Sequence, residues 1–262
     1  MPGSSGASLV RWFRAARTGL YSDLVEAEAG SGRGVDSEAQ IRPDIDDLVR
    51  RFPHIAKTWP QFEEQLAAFP WGAQLVFLTQ GGELEVLGRA SSYHVLKDGS
   101  IWRASALAKV NSPDDVASCT AVVDFLHAAL EGSSPLYGHI EWDDFGELTN
   151  LDVVLSRKRR TSLCEGRQFL RGYAWVTVCP AELVARLGGV AALEDSGAFH
   201  RVLPLRAGGV LLQASATMDG YTDQVMERIF ETLAPVLPPG EPRPDPAHPD
   251  MRFVPRDAAT VR

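Results

Sequence analysis

Two glycine turns set the strongest constraint on how this chain can fold. Between residues 73 and 108 the runs AQLVFLT, ELEVLG, YHVLKDG and SIWRASALA follow one another, with Gly81-Gly82 and Asp98-Gly99 marking turns. The runs alternate apolar with polar residues or are rich in β-branched and aromatic ones, the pattern of half-buried strands. Two-residue glycine turns join antiparallel neighbours, because parallel neighbours need a long crossover. The block therefore predicts a meander of three or four antiparallel strands.

Helices flank that block. Phe62, Leu66 and Phe69 recur at helical spacing after Trp59-Pro60, and Pro70 closes the run. Upstream, Asp44 can cap a helix with Ile45, Leu48 and Val49 on one side. Ser112-Pro113-Asp114-Asp115 reads as a helix start, with Ser112 as cap and Pro113 at the first helical position. Val116, Val123 and Leu130 then form a buried stripe. PLYGHIEWDD reads as a strand with alternating faces, and residues 148–157 as a helix ending in the basic cluster Arg157-Lys158-Arg159-Arg160. In the last third, GYAWVTVCP is a strand and PAELVARLGG a short helix with Gly188 as its stop. AFHRVLPL and GVLLQASA form a hairpin around Arg206-Ala207-Gly208-Gly209, and Asp219 to Leu233 is a helix.

The expectation is an α+β fold, an antiparallel or mixed sheet with helices packed on one face. One domain is expected over residues 46–236. Residues 1–45 read as a flexible segment carrying a short basic helix from Leu9 to Arg17, because AGSGRGVDSEAQ has no apolar periodicity. Residues 237–262 read as a Pro-rich extended tail.

A chain of 262 residues buries roughly 70–75% of its unfolded surface and needs no metal or disulfide to fold. Its net charge of −8 argues against nucleic acid and anionic membranes as partners, and favours a basic protein. Three scattered cysteines, Cys119, Cys164 and Cys179, form no CxxC pair and fit a reducing compartment. Arg11, Arg14 and Arg17 interrupt any apolar signal run, and no stretch reaches membrane-span length. A cytoplasmic protein is expected.

No HExxH, GxSxG, Walker loop or GxGxxG-after-strand pattern occurs, and Gly30 to Gly34 reads as a linker. The best candidate site is His139-Ile140-Glu141-Trp142-Asp143-Asp144. On a strand, His139, Glu141 and Asp143 share one face. Three readings compete: a solvated polar strand face, an acidic partner-binding patch of Glu141, Trp142, Asp143 and Asp144, and a divalent metal or acid–base site. Cys179 ends an apolar strand and reads as core. The scattered tryptophans, Trp71, Trp102, Trp142 and Trp175, read as packing residues rather than a base-stacking platform. No catalytic residue, cofactor or metal is expected.

The stretch GYAWVTVCPAELVARLGGVAALEDSGAFHRVLPLRAGGVLLQASA resembles the C-terminal part of the bacterial type VI immunity protein family. The matching residues are Leu187-Gly188-Gly189 and Gly208-Gly209-Val210-Leu211-Leu212-Gln213-Ala214, within residues 170–245. These positions set turns and bury strands, so they argue first for a shared fold. The resemblance implies a non-enzymatic inhibitor that binds a cognate toxin or effector and blocks it. The alternatives are a housekeeping or regulatory binding protein of the same fold, and a metal-dependent enzyme built on His139, Glu141 and Asp143.

Overall fold

In a computed structural model, the described residues are 5–29, 35–43, 54–79, 85–95, 101–108, 112–141 and 148–261. The chain is α+β, and both of its sheets are wholly antiparallel. It divides into two compact units, Met1–Asn111 with Asp124–Leu130, and Ser112–Val123 with Glu131–Arg262. The sequence reading placed one domain over residues 46–236. Each of the two units holds one of the sheets. Among the described residues, no helix is long and apolar enough to cross a membrane.

The first unit holds a five-stranded sheet of order β2-β1-β3-β4-β5, built from β1 (Val35–Arg42), β2 (His54–Ala56), β3 (Gly72–Thr79), β4 (Val86–His94) and β5 (Trp102–Ala108). The expected meander is β3-β4-β5. Its turns at Gly81-Gly82 and Asp98-Gly99, and the helix expected after Asp44, lie outside the described residues, as does the Gly30–Gly34 linker.

Residues 5–29 and 35–42 do not behave as loose segments. Helix α1 (Ser5–Ala15) buries Leu9, Trp12 and Phe13, and a π-helical turn (Ala16–Leu20) leads to α2 (Ser22–Ala29). Phe13 packs edge-on against Phe62 of α3 (Trp59–Ala67) at 5.2 Å. Tyr21 donates a hydrogen bond shared between the Arg89 carbonyl (2.6 Å) and the Leu107 carbonyl (2.9 Å), which ties the segment to β4 and β5. Gly88 permits this approach, since a Cβ there would lie 2.7 Å from the Tyr21 ring. β1 runs inside the sheet, paired to β2 on one side and β3 on the other. Its apolar alternation is faint in sequence because Ser37 and Ala39 occupy two of the four positions that alternate with Asp36, Glu38 and Gln40. Ser37 bonds Glu28 of α2 at 2.6 Å. Small side chains let helices sit close to a strand, and they erase the hydrophobic signal while doing so.

Helix α4 (Val116–Leu130) starts later than Ser112 suggests. Asp115 accepts bonds from the Ala117 and Ser118 amides, so it is the cap in place of Ser112.

The second unit holds a four-stranded sheet of order β6-β7-β9-β8, from β6 (Gly138–Ile140), β7 (Val176–Cys179), β8 (Arg201–Pro204) and β9 (Val210–Gln213). The expected hairpin is present, with Leu203 opposite Leu211. Helices α5 (Asn150–Val154), α6 (Arg159–Cys164), α7 (Ala181–Arg186), α8 (Gly189–Asp195) and α9 (Asp223–Leu233) complete the unit. Gly188 (φ 89°) and Gly189 (φ 88°) both adopt the left-handed conformation between α7 and α8, which is why two glycines follow Leu187. The core centres on Trp175, Val176, Leu211, Ile229 and Phe230.

The Pro-rich end does not hang free. Met251, Val254 and Ala258 are buried, and the Val254 amide donates to the Tyr173 hydroxyl at 2.9 Å. Proline makes this stretch extended but does not prevent its few apolar side chains from docking.

Candidate functional site

The candidate strand lies at the edge of the second sheet. β6 pairs only with β7 among the described strands, with His139 opposite Thr177. Alternation sends Tyr137, His139 and Glu141 to one face. The His139 Nε2 lies 3.6 Å from Glu141 Oε1, and each side chain is about one-fifth exposed, 23% and 20%. The Tyr137 and His139 rings lie 5.4 Å apart. Trp142, Asp143 and Asp144 lie outside the described residues, so the structure places Glu141 alone of the four acidic-patch residues. Among the described residues, no group of three His, Cys, Asp or Glu side chains could hold a metal ion.

The electrostatics around this face are dominated by burial. The Tyr137 hydroxyl is held well above its ordinary range by burial first and by the Glu141 charge second, with Arg171 opposing. Tyr221 is raised by burial, and the charges of Tyr173 and Glu141 add to it. Its hydroxyl is buried with no partner among the described residues. Burial and the Glu141 charge thus act together against ionisation of both phenols.

Behind it sits a buried ion-pair network. Asp152 is fully buried and receives Arg171 Nη2 at 2.7 Å. Arg171 Nε donates to Ser162 Oγ at 2.8 Å, and its guanidinium lies 5.7 Å from the Tyr137 ring centre. Arg157 reaches Asp152 Oδ1 at 3.4 Å and Glu165 Oε2 at 2.8 Å. Thr149 and Asp152 form a capping box at the start of α5, and Thr149 Oγ1 also donates to the Arg171 carbonyl at 2.6 Å. Every charge in this cluster is matched by another, so it clamps the chain and leaves little to react.

The basic cluster departs from its expected place. α5 ends at Val154, so Arg157 lies beyond it, while Lys158 caps α6 and Arg159 and Arg160 occupy its first turn. The cations therefore face the positive end of a helix dipole, not the negative end. The double pairing of Arg157 and the exposure of Lys158, Arg159 and Arg160 make the arrangement tolerable. The turn carrying Ser156, whose φ of 52° is left-handed, borders a cleft of about 500 Å³ closed on the other side by Pro238 to Arg243.

Nucleophilic chemistry has little footing here. Cys179 is fully buried, and burial followed by the Glu182 charge pushes its thiol up to about 12. Cys119 is buried as well, and Cys164 is exposed. A thiol reagent is expected to label one cysteine per native chain, Cys164, with the other two reacting only on unfolding. Counting titrated thiols with and without denaturant checks this.

The sequence marked His139 and Glu141 but missed Tyr137, Tyr221, Arg171 and Asp152. The Thr149-x-x-Asp152 spacing was a readable capping-box signal. The pairing of Asp152 with Arg171, 19 residues on, had no local signature.

Comparison with protein-family models, with curated proteins and with solved structures finds no match to this chain.

Proposed function

We propose that the chain is a non-enzymatic inhibitor of the immunity type, which binds a cognate bacterial toxin or effector in the cytoplasm and blocks it. The observation that supports this best is the placement of Glu141 at the end of an edge strand. β6 has sheet on one side only among the described strands, and the Glu141 carboxylate beside it adds to the upward shift of the half-buried Tyr137 hydroxyl. An edge strand offers main-chain groups to a partner, and acidic side chains beside it select a basic one. The net charge of −8 favours the same encounter. The resemblance of residues 170–245 to the immunity family supplies the biological context. The self-matched ion pairs around Asp152 fit a scaffold better than a reacting centre.

In this reading the acidic segment Glu141-Trp142-Asp143-Asp144 is part of the interface. Glu141→Arg is expected to weaken the complex by about 10- to 100-fold, mainly through faster dissociation, because it replaces attraction by repulsion at a partly buried position. Titration calorimetry against candidate toxins encoded by neighbouring genes, with unfolding midpoints recorded in parallel, checks the effect. An unchanged affinity in a folded Glu141→Arg protein removes this strand from the interface.

A further inference from the structure

We propose that the corner of the first sheet formed by Phe69, Trp71, His94 and Trp102 is a binding site for a guanidinium group, that is, an arginine side chain presented by a protein partner.

Three neighbouring strands bring the rings together. Trp71 immediately precedes β3, His94 is the last residue of β4, and Trp102 is the first of β5. His94 stands opposite Trp102 in the register, and the His94 amide donates to the Trp71 carbonyl at 3.0 Å. The Trp71 ring lies along His94 at 5.0 Å and 31°. Phe69 comes up edge-on, 4.5 Å from His94 at 84° and 6.5 Å from Trp102 at 87°.

Two features separate this corner from an ordinary lid on the core. His94 is only 9% exposed, yet its Nδ1 is buried with no hydrogen-bond partner among the described residues. Such an atom is costly to leave unmade. Phe69 holds a φ of 56°, a left-handed backbone that a phenylalanine rarely adopts. Strain and an orphaned polar atom in one place are the mark of a site held ready for something. The three rings around the imidazole are only half-buried, so they remain reachable from solvent.

The chemistry narrows the occupant. Aromatic faces carry negative quadrupole density, so they attract cations and repel carboxylates and phosphates. With the imidazole proton on Nε2, Nδ1 accepts a hydrogen bond. A guanidinium meets both demands, because its flat face stacks on the half-buried indoles and, once the covering rings part, its in-plane N–H groups donate to Nδ1. An ammonium offers the charge without the flat face. The biological occupant rests on the reading of this chain as a binder of a basic protein, whereas the chemistry of the corner is testable without that protein.

The test is an NMR titration of the full-length protein, following the six tryptophan indole N–H signals, each assigned by a single Trp→Phe variant. N-acetyl-arginine amide is expected to shift the Trp71 and Trp102 signals saturably in the millimolar range, leaving buried Trp12 and Trp175 in place. The citrulline analogue, isosteric but uncharged, is expected to bind at least about fivefold more weakly. Trp102→Leu is expected to abolish the shifts. His94→Phe, which keeps the ring stack and removes Nδ1, is expected to weaken binding about three- to tenfold, and it serves if Trp102→Leu does not fold. The proposal is overturned if arginine and citrulline amides act alike, if arginine amide moves neither signal, or if a short single-stranded oligonucleotide gives the larger Trp71 and Trp102 shifts. A toxin complex that forms while arginine amide moves neither indole removes this site alone. Arginine binding without any toxin complex removes the inhibitor reading alone.

Discussion

Asp152→Ala is expected to destabilise the protein by about 3–5 kcal/mol, because it leaves two guanidinium groups without their shared anion in a desolvated place. Asp152 is fully buried, while the Arg171 and Arg157 side chains are 9% and 11% exposed. Arg157 retains Glu165 as an anionic partner, and Arg171 retains the Ser162 hydroxyl and the Tyr137 ring. The same change removes half of the capping box that starts α5. Replacing both partners behaves differently. Asp152→Leu with Arg171→Met is expected to recover much of the loss, since buried ion pairs contribute little net stability over a well-packed apolar pair. Urea unfolding of the single and double variants, followed by near-ultraviolet dichroism, checks this. An Asp152→Ala cost below about 1 kcal/mol would mean that the network is solvated and the clamp is not there.

Val254→Asp is the second large effect. A solvated Pro-rich extension would accept an aspartate at no cost. Here Val254 is 5% exposed and its amide is fixed to the Tyr173 hydroxyl, whose ionisation burial pushes up to about 12. An unpaired carboxylate cannot stay in that setting, so the chain end undocks instead. The expected loss is about 2–4 kcal/mol, with an upper limit set by the docking energy of residues 250–261. Undocking also frees Arg252 and Arg256, which pair with Asp223 and with Glu227 and Glu231 on α9. Those exposed pairs contribute little by themselves. Limited trypsin digestion reads the change directly, as rapid cleavage after Arg252 and Arg256 in the variant and slow cleavage in the parent. Equal cleavage rates would return the segment to the solvated tail that its composition suggests.

The parts of the fold that the sequence made legible are those whose signals are local. The β8-β9 hairpin announces itself by apolar runs around Gly208-Gly209, and the α7-α8 junction by Gly188-Gly189. α9 carries Ile229 and Leu233 at helical spacing. β1 was hidden because only Val35 and Ile41 of its eight residues are buried, while Ser37 and Ala39, between them on the same face, are too weakly apolar to show alternation. α1 was visible as an amphipathic stretch, but nothing in it revealed that Leu9, Trp12 and Phe13 would be buried. At the candidate site, His139 and Glu141 stand two residues apart on a strand, so their shared face could be read directly. Arg171, Tyr221 and Asp152 come from distant segments, and only tertiary packing brings such groups together. The same holds for the aromatic corner, where Trp71 and Trp102 read as scattered packing residues and only the strand register brings them to His94.

The central claim is that this protein acts by occupying another protein. Mixing it with candidate toxins encoded by neighbouring genes, and measuring mass by light scattering after gel filtration, tests that most directly. One stable stoichiometric complex is expected, in which the toxin is inactive and which Glu141→Arg weakens. No complex, together with a purified protein that carries a metal lost on His139→Ala, would contradict it.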